Sequence, residues 1–302
     1  MEKQSRFRLL IFGVLIVVLN SACSMKKKAV NTLADVLGEA EGVYLSDEDP
    51  ELIAAALPFN LKTLETLLGS SPEHRGLLLT VTKSFVFYTY GFVQPEADLV
   101  EESDFAKSQN IRGRAAKLYL RAYRYGLRGL EVAHSGFSSL LPVDPWEAAQ
   151  QLVLDDVPLA VWTAAALGSA IGASIDDAEA TADIAVVGAL LHRSLELDED
   201  FEEGTIHEFL VSYEAQTMTG SVEKAKEHYQ RSLELSKGRR CGIFLIWAES
   251  FSVSQQDRAE FSELIERVIS FDVDSAPEHR LLNILAKRRA LWLKGRMDEL
   301  FL

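Results

Sequence analysis

The sequence predicts an all-α fold in which helical hairpins stack against one another into a compact solenoid. Apolar residues recur at helical spacing through long segments of the chain. No segment shows sustained alternation of apolar and polar residues or the Asn-Gly pair typical of a β-hairpin. A short signature with an arginine at a fixed place also repeats along the chain, which indicates that one helical unit occurs several times.

The helices can be placed in order from their apolar spacing and their start signals. Asp49 and Pro50 are predicted to begin the first helix, because Asp is a preferred cap and Pro fits the first turn. Pro58 is predicted to interrupt or kink that helix, since proline lacks a backbone N–H. Further helices are predicted over 73–92, 111–133, 146–152, 159–171, 182–197, 202–218, 222–235, 244–252, 256–270 and 277–300.

The repeat places arginines at Arg121, Arg193, Arg231 and Arg267 in four alignable segments. Their separations of 72, 38 and 36 residues indicate a period slightly above the 34 residues of tetratricopeptide (TPR) repeats. The first gap spans two periods, so one unit near residue 157 is predicted to have lost the signature. Such repeats stack into a curved solenoid with a concave binding wall. The alternative is a helical bundle in which the spacing is a coincidence.

The N-terminus carries the features of a secretory signal over residues 1–22. Lys3, Arg6 and Arg8 precede an apolar run over residues 9–19, which at eleven residues is too short to span a membrane as a helix. The run ends in small residues followed by Cys23, which resembles a bacterial lipobox in which the cysteine is acylated. Residues 23–302 are then predicted to form one all-helical, TPR-like repeat domain.

Two details bear on this lipid anchor. Asn20 stands where a lipobox usually has leucine, so the alternative is a plain secretory signal that contains a cysteine. Ser24 follows the anchor where lipoproteins kept in the inner membrane commonly have Asp, which favours the outer membrane. Acylation of Cys23 would leave Cys241 alone beside an apolar run, where we expect a buried, inert thiol. The predicted location is therefore the periplasm, with the chain tethered to the outer membrane.

Charge excludes one class of partner. The predicted mature chain has 28 basic and 44 acidic residues, a formal charge of −16, once the residues before Cys23 are removed. Such a chain repels the phosphates of DNA and RNA, so no nucleic-acid partner is expected.

Catalytic and metal-binding motifs were sought, and none is convincing. His207 and Glu208 begin like the zinc-protease helix motif, but Val211 stands where the second histidine must be. The six histidines are scattered without a ligand cluster, and no nucleophile elbow, phosphate loop or dinucleotide fingerprint is present. The sequence therefore predicts neither an enzyme nor a cofactor or metal site.

Several side chains are candidates to line a ligand pocket. They are aromatic or charged residues at helical positions: Tyr88, Trp162, His207, Glu208, Tyr213, Glu214, Trp247 and Arg288. Each has a simpler alternative. Tryptophans at such apolar positions usually belong to the core, and the arginine can pair with one of the many acidic side chains.

Several long strings resemble one known family, the TRAP transporter TatT-component proteins. In the C-terminal half they are "GTIHEFLVSYE" (204–214), "AKEHYQRSLELSKG" (225–238), "AESFSVSQQDRAEFSELI" (248–265) and "RLLNILAKRRALWLKGRMDELF" (280–301). In the N-terminal half they are "FVFYTYGFVQPEAD" (85–98), "KLYLRAYRYGLRGL" (117–130) and "WTAAALGSAI" (162–171). The resemblance covers nearly the whole predicted mature chain in order.

This resemblance implies a periplasmic lipoprotein of TPR-like hairpins that forms a homotrimer. It also implies a partner, the periplasmic solute-binding protein of a tripartite ATP-independent periplasmic (TRAP) transporter. The protein would dock that partner and hold or pass a small organic ligand that could be hydrophobic, with no chemical step. The alternative is a TPR scaffold lipoprotein for envelope protein assembly, which would hold a peptide in a groove and have no internal cavity.

Overall fold

The computed structural model describes residues 41–174, 183–217 and 220–301, together with five positions between 31 and 38. All regular secondary structure in these residues is helical, which confirms the predicted all-α class. The predicted signal peptide and Cys23 lie outside the described residues, so their roles stay predictions.

The helices are numbered here in chain order. They are α1 (Glu41–Leu45), α2 (Pro50–Ser70), α3 (Arg75–Tyr88), α4 (Gln94–Val100), α5 (Phe105–Ala133), α6 (Phe137–Leu140), α7 (Pro145–Gln150), α8 (Val157–Gly172), α9 (Ile184–Leu197), α10 (Thr205–Gln216), α11 (Val222–Ser236), α12 (Gly242–Trp247), α13 (Arg258–Ile269), α14 (Arg280–Gly295) and α15 (Met297–Leu300). Short 3₁₀ turns occupy Leu154–Asp156, Phe201–Glu203, Val273–Ser275 and Pro277–His279.

Aspartate caps start several helices, because their carboxylates accept backbone N–H groups that the first turn leaves unpaired. Asp49 accepts from Leu52 N at 3.0 Å, which confirms the predicted start of α2. The predicted interruption at Pro58 is wrong, since α2 continues through it to Ser70. Pro58 is exposed, so the carbonyl that it leaves unpaired can be hydrated by solvent.

The long helices form a closed ring of contacts. Helix α2 packs against α3, α3 packs against α5, and α5 packs against α8. From α8 onward each helix packs against the next helix in the chain, as far as α14. The last long helix, α14, returns to contact α1 and α2. At this seam Leu281 is buried with Ile53 and Leu57, and Arg288 pairs with Glu51 at 2.6 Å. The contacts therefore close the described chain on itself, an arrangement that we call the helical ring, and we call the region around Tyr90 and Arg289 inside it the central space.

The four aligned arginines all lie in helices, each on the second member of a contacting pair, namely α3–α5, α8–α9, α10–α11 and α12–α13, and the predicted solenoid stacking stays a prediction. Their contacts differ. Arg193 donates to Leu152 O at 3.1 Å, Arg231 pairs with Glu199 at 2.7 Å, and Arg267 lies over the Phe244 ring at 4.2 Å. The long gap between Arg121 and Arg193 holds the short helices α6 and α7 and the longer α8, so the predicted unit near residue 157 stays a prediction.

The core lies between the helices of the ring and includes small residues at close crossings. At the α5–α8 crossing, a methyl group added at Gly126 would overlap the Thr163 hydroxyl. Two helical stretches, 75–100 and 154–172, are apolar and long enough to cross a membrane by composition alone. Much of each is buried inside the fold, as is usual for core helices of soluble domains.

Candidate functional site

Two π-helical turns interrupt the α-helices that border the central space. Thr89–Val93 joins α3 to α4, and Ala248–Ser252 extends α12. In each turn the N–H that follows bonds back five residues, from Gln94 to Thr89 O and from Val253 to Ala248 O. Single π turns inside α-helices frequently mark functional sites, because the extra residue turns a side chain away from the regular packing face.

The first π turn holds Tyr90. Its side chain is 55% exposed, yet burial raises its pKa to about 12, with Glu249 and Glu208 adding to the effect and Arg289 opposing it. A phenol that is exposed by area but lies among many protein atoms loses part of its hydration, and this disfavours the phenolate. We therefore infer that Tyr90 lines an internal space within reach of these three charged groups.

Arg289 on α14 links α4 to the second π turn beside this tyrosine. Its Nη1 lies 2.6 Å from Asp98 Oδ2, and its Nη2 lies 2.6 Å from Glu249 Oε1 in the second π turn. These carboxylates raise the Arg289 pKa against the opposing effect of burial. We call Tyr90, Asp98, Glu208, Glu249 and Arg289 the central site. Its charged groups are paired, Arg289 with Asp98 and Glu249 and Glu208 with Arg240, while the Tyr90 phenol is neutral at ordinary pH.

The predicted pair on α10, His207 and Glu208, is divided between two environments. Glu208 belongs to the central site, where Arg240 Nη2 is 3.2 Å away and Ser232 Oγ donates to it at 3.3 Å. His207 is only 4% exposed, and its Nδ1 lies 2.9 Å from Nδ1 of His228.

Tyr213, Glu214 and Trp162 have structural contacts in the described fold. Tyr213 packs on Gly188 and meets the His192 ring edge-on at 5.9 Å. Glu214 is 7% exposed and accepts the Ser221 N–H at 2.8 Å, which fixes the start of α11. Trp162 is half-buried beneath Lys83, which lies 5.0 Å from the indole ring.

The remaining candidates lie apart from the central site. Trp247 is 7% exposed, with its ring stacked on Phe251 at 4.7 Å and its N–H donated to Glu260 at 3.1 Å, which makes it a core residue. Tyr88 accepts from Arg114 at 3.2 Å, and Arg288 points to Glu51 on the outer seam. The structure thus does not gather the eight predicted residues into one pocket, and their ligand role stays a prediction.

Cys241 is buried and unpaired, as the sequence predicts. Burial raises its pKa to about 12, so its thiol remains protonated at neutral pH. Among the residues that the structure describes, no group of three or more His, Cys, Asp or Glu side chains is placed to hold a metal ion.

The His207–His228 contact predicts a loss of stability in acid. Burial lowers the pKa of both histidines, that of His228 to about 4, with His207, His192 and Lys224 adding to the effect for His228. Glu199 opposes the shift of His207, while Arg231 adds to it. Because the unfolded chain binds protons near pH 6.5 and the folded chain does not, stability present at neutral pH decreases as the pH falls from about 6.5 towards 4.

We expect this loss to reach about 2 kcal/mol, measured by urea unfolding at pH 7 and pH 4.5. Carboxylates also titrate in this range, so the comparison is with a His228→Asn variant measured at the same two values. The variant should lose less stability on acidification than the natural chain. Equal losses in the two proteins would contradict the prediction.

The sequence predicted Glu208 and offered Tyr90 and Arg289 only as members of larger groups, while Asp98 and Glu249 were missed. Tyr90 stands in the aromatic run between Phe85 and Phe92, and Arg289 stands next to the chosen Arg288. The aromatic run and the arginine pair were the available signals. Neither shows which of two adjacent residues faces inward, because that depends on the π turn and on the ring closure.

Comparison with known proteins agrees with this architecture. The family model described as TRAP transporter T-component matches residues 46–301. A protein of Treponema pallidum (strain Nichols), described only as uncharacterized, is 28% identical over 326 aligned positions that cover 99% of each chain. Since the family model spans most of the sequence and nearly all the described residues, the chain belongs to the TRAP transporter T-component family.

Proposed function

We propose that this protein is a lipid-anchored periplasmic accessory component of a TRAP transporter, which docks the solute-binding protein and holds a small organic ligand at the central site. Membership of the T-component family supports the transporter role. The ligand-holding role is supported by the placement of Tyr90, which is 55% exposed beside Glu249, Glu208 and Arg289, while burial raises its pKa. The protein is proposed to work as a homotrimer.

The pairing of charges at the central site favours holding a ligand over transforming it. Arg289 is neutralised by Asp98 and Glu249, and Arg240 lies beside Glu208. General acid–base catalysis needs a group that exchanges a proton near neutral pH, and a phenol with a pKa of about 12 does not. An aromatic ring at the edge of an enclosed space instead offers a dry surface to the apolar body of a ligand.

Native mass spectrometry of the protein purified from its own envelope tests this proposal, because it reports subunit number and retained small molecules together. We expect trimers that carry a small organic molecule. A Tyr90→Ala variant should weaken binding of that molecule by about tenfold or more, since burial of one aromatic face is lost. Protein that carries no small molecule in repeated preparations would contradict ligand holding.

Two adjacent arginines allow the central site, which contains Arg289, to be tested against Arg288, the residue that the sequence predicted. Arg289→Met removes the guanidinium beside Tyr90, whereas Arg288→Met removes one that pairs with Glu51 outside. We expect reduced ligand retention only in Arg289→Met. The reverse result would favour the sequence-based choice of Arg288 and place the ligand at the outer seam.

The lipid anchor has its own test. Replacing Cys23 with Ala removes the proposed acylation site, so we expect the variant to move from the membrane fraction to the soluble periplasmic fraction of the cells. A Cys241→Ala variant is the control, since that thiol is buried and should have no part in anchoring. A Cys23→Ala protein that stays with the membrane would refute the anchor.

Docking of the solute-binding protein is tested by cross-linking in intact cells followed by purification of this chain. We expect a periplasmic solute-binding protein among the cross-linked products. Repeated recovery of the trimer without such a partner would count against the transporter role while leaving ligand holding intact.

A further inference from the structure

One end of the helical ring presents an unusual set of exposed apolar side chains. Val143, Trp146, Val153 and Leu154 are 80%, 50%, 54% and 56% exposed. We call these four residues the apolar end surface. They surround α7, whose six residues span only about 9 Å, so the four side chains belong to one small region. Contiguous apolar patches on a soluble protein commonly mark a contact with a partner or a membrane.

Hydrogen bonds between helix ends show where this region lies in the helical ring. The turn between α2 and α3, the end of α5 and the start of α8 come together, because Arg75 donates to Gly129 O at 3.3 Å and pairs with Asp156 at 2.5 Å. Arg128 near the end of α5 donates to Pro72 O at 2.9 Å in the same place. Asp156 stands two residues after Leu154 and accepts the Val153 N–H at 2.9 Å, so the apolar end surface lies at this end of the ring.

The N-terminal chain arrives at the same end. Asn31 Oδ1 accepts a hydrogen bond from Ser71 Oγ at 2.7 Å, and both residues line a groove with Arg75 and Val132, which is itself 40% exposed. Cys23 stands eight residues earlier in the sequence, so a fully extended tether reaches at most roughly 29 Å from Asn31. The 29-residue helix α5 is about 43 Å long, so this tether cannot carry the membrane to the opposite end.

We propose that the apolar end surface rests in the interfacial region of the membrane to which the chain is tethered. This inference depends on the proposed acylation of Cys23. Tryptophan is enriched at membrane interfaces, and Trp146 is held with its ring stacked on His192 at 5.9 Å. Asp144, Glu147 and Asp155 are exposed beside the surface and repel anionic headgroups, so the lipids that it contacts are zwitterionic and the contact depends on apolar burial.

The test uses the full-length lipidated protein reconstituted into phosphatidylcholine vesicles whose acyl chains carry bromine near the headgroup. We expect bromine to quench tryptophan emission, and a Trp146→Phe variant to lose most of that quenching, because the other three tryptophans lie in helices of the ring. Protein that floats with the vesicles but shows no quenching overturns the surface and leaves the anchor intact. Protein that does not float defeats the anchor and the surface together.

A second measurement isolates the surface from the anchor. In the lipidated protein, which stays on the vesicles through Cys23, a Val143→Ser/Leu154→Ser pair should reduce the bromine quenching of Trp146 by about twofold or more, since two apolar side chains no longer hold the surface in the interface. The matched control is Leu99→Ser/Phe105→Ser, which changes two residues that are each 64% exposed near the start of α5. Equal loss in both pairs overturns the proposal. Efficient cross-linking between copies through Val143→Cys, without quenching, would show that a second copy covers the surface instead.

Discussion

Replacing Asp156 with alanine is expected to lower the free energy of unfolding by about 3–5 kcal/mol, because a buried carboxylate with three partners would be lost. Asp156 is 1% exposed and holds Arg75 Nη2 at 2.5 Å and His134 Nε2 at 2.7 Å, while it accepts the Val153 N–H at 2.9 Å. These partners come from α3, the end of α5 and the segment before α8. Without the carboxylate, the three helices lose the charge that joins them.

The adjacent Asp155 provides a matched control, since it is exposed and removing it changes the net charge equally. Asp155→Ala should change stability by less than about 0.5 kcal/mol, as is usual for surface substitutions. Both variants are measured by urea unfolding at pH 7. Similar values for the two would show that Asp156 contributes only through overall charge, and that the buried network is not what holds these helix ends together.

Helix positions could be predicted well because each depends on residues close in sequence. The Asp49–Pro50 start of α2 was found because a cap and its first turn are four consecutive residues. The start of α5 was placed six residues late, at Ile111 instead of Phe105. Its first six residues have only two apolar side chains, Phe105 and Ala106, which are both exposed, and so lack the apolar spacing, although Asp104 caps them by accepting from Lys107 N at 2.9 Å.

The central site could not be predicted in the same way, because its residues meet only when the ring closes. Arg289 pairs with Asp98, 191 residues away, and with Glu249, 40 residues away. The direction of the Tyr90 side chain depends on a π turn, which contains one residue more than an α-helical turn. No sequence signature predicted that turn. The partner of His207, His228, was likewise missed because it is on the next helix, 21 residues on.

Family resemblance and geometry support different parts of the conclusion. The quoted strings identified the T-component family, which the family model confirms over residues 46–301. They carried no information on which side chains face the central space. The contacts of Arg289 and the poor hydration of Tyr90 supply that information, so the ligand hypothesis now has residues that can be changed one at a time.

The close approach of α5 and α8 gives the second large prediction. A Cβ atom at Gly126 would overlap the Thr163 hydroxyl and lie 3.3 Å from the Thr163 backbone. The hydroxyl is buried and donates to Leu159 O at 2.5 Å, so it cannot turn away without losing its bond. We therefore expect Gly126→Val to cost about 3 kcal/mol or more through overpacking, although valine is the better helix former.

Gly113 offers the comparison within the same helix, because it is exposed and nothing lies within 4 Å of a Cβ atom added there. Gly113→Val should be nearly neutral or slightly stabilising, since valine exceeds glycine in helix propensity by only a few tenths of a kcal/mol. Thermal unfolding of both variants separates the two causes, because propensity acts equally at both positions while the helix crossing acts only at Gly126. Equal melting temperatures would mean that α8 moves away from α5 at little cost, and the ring would then be softer than its packing indicates.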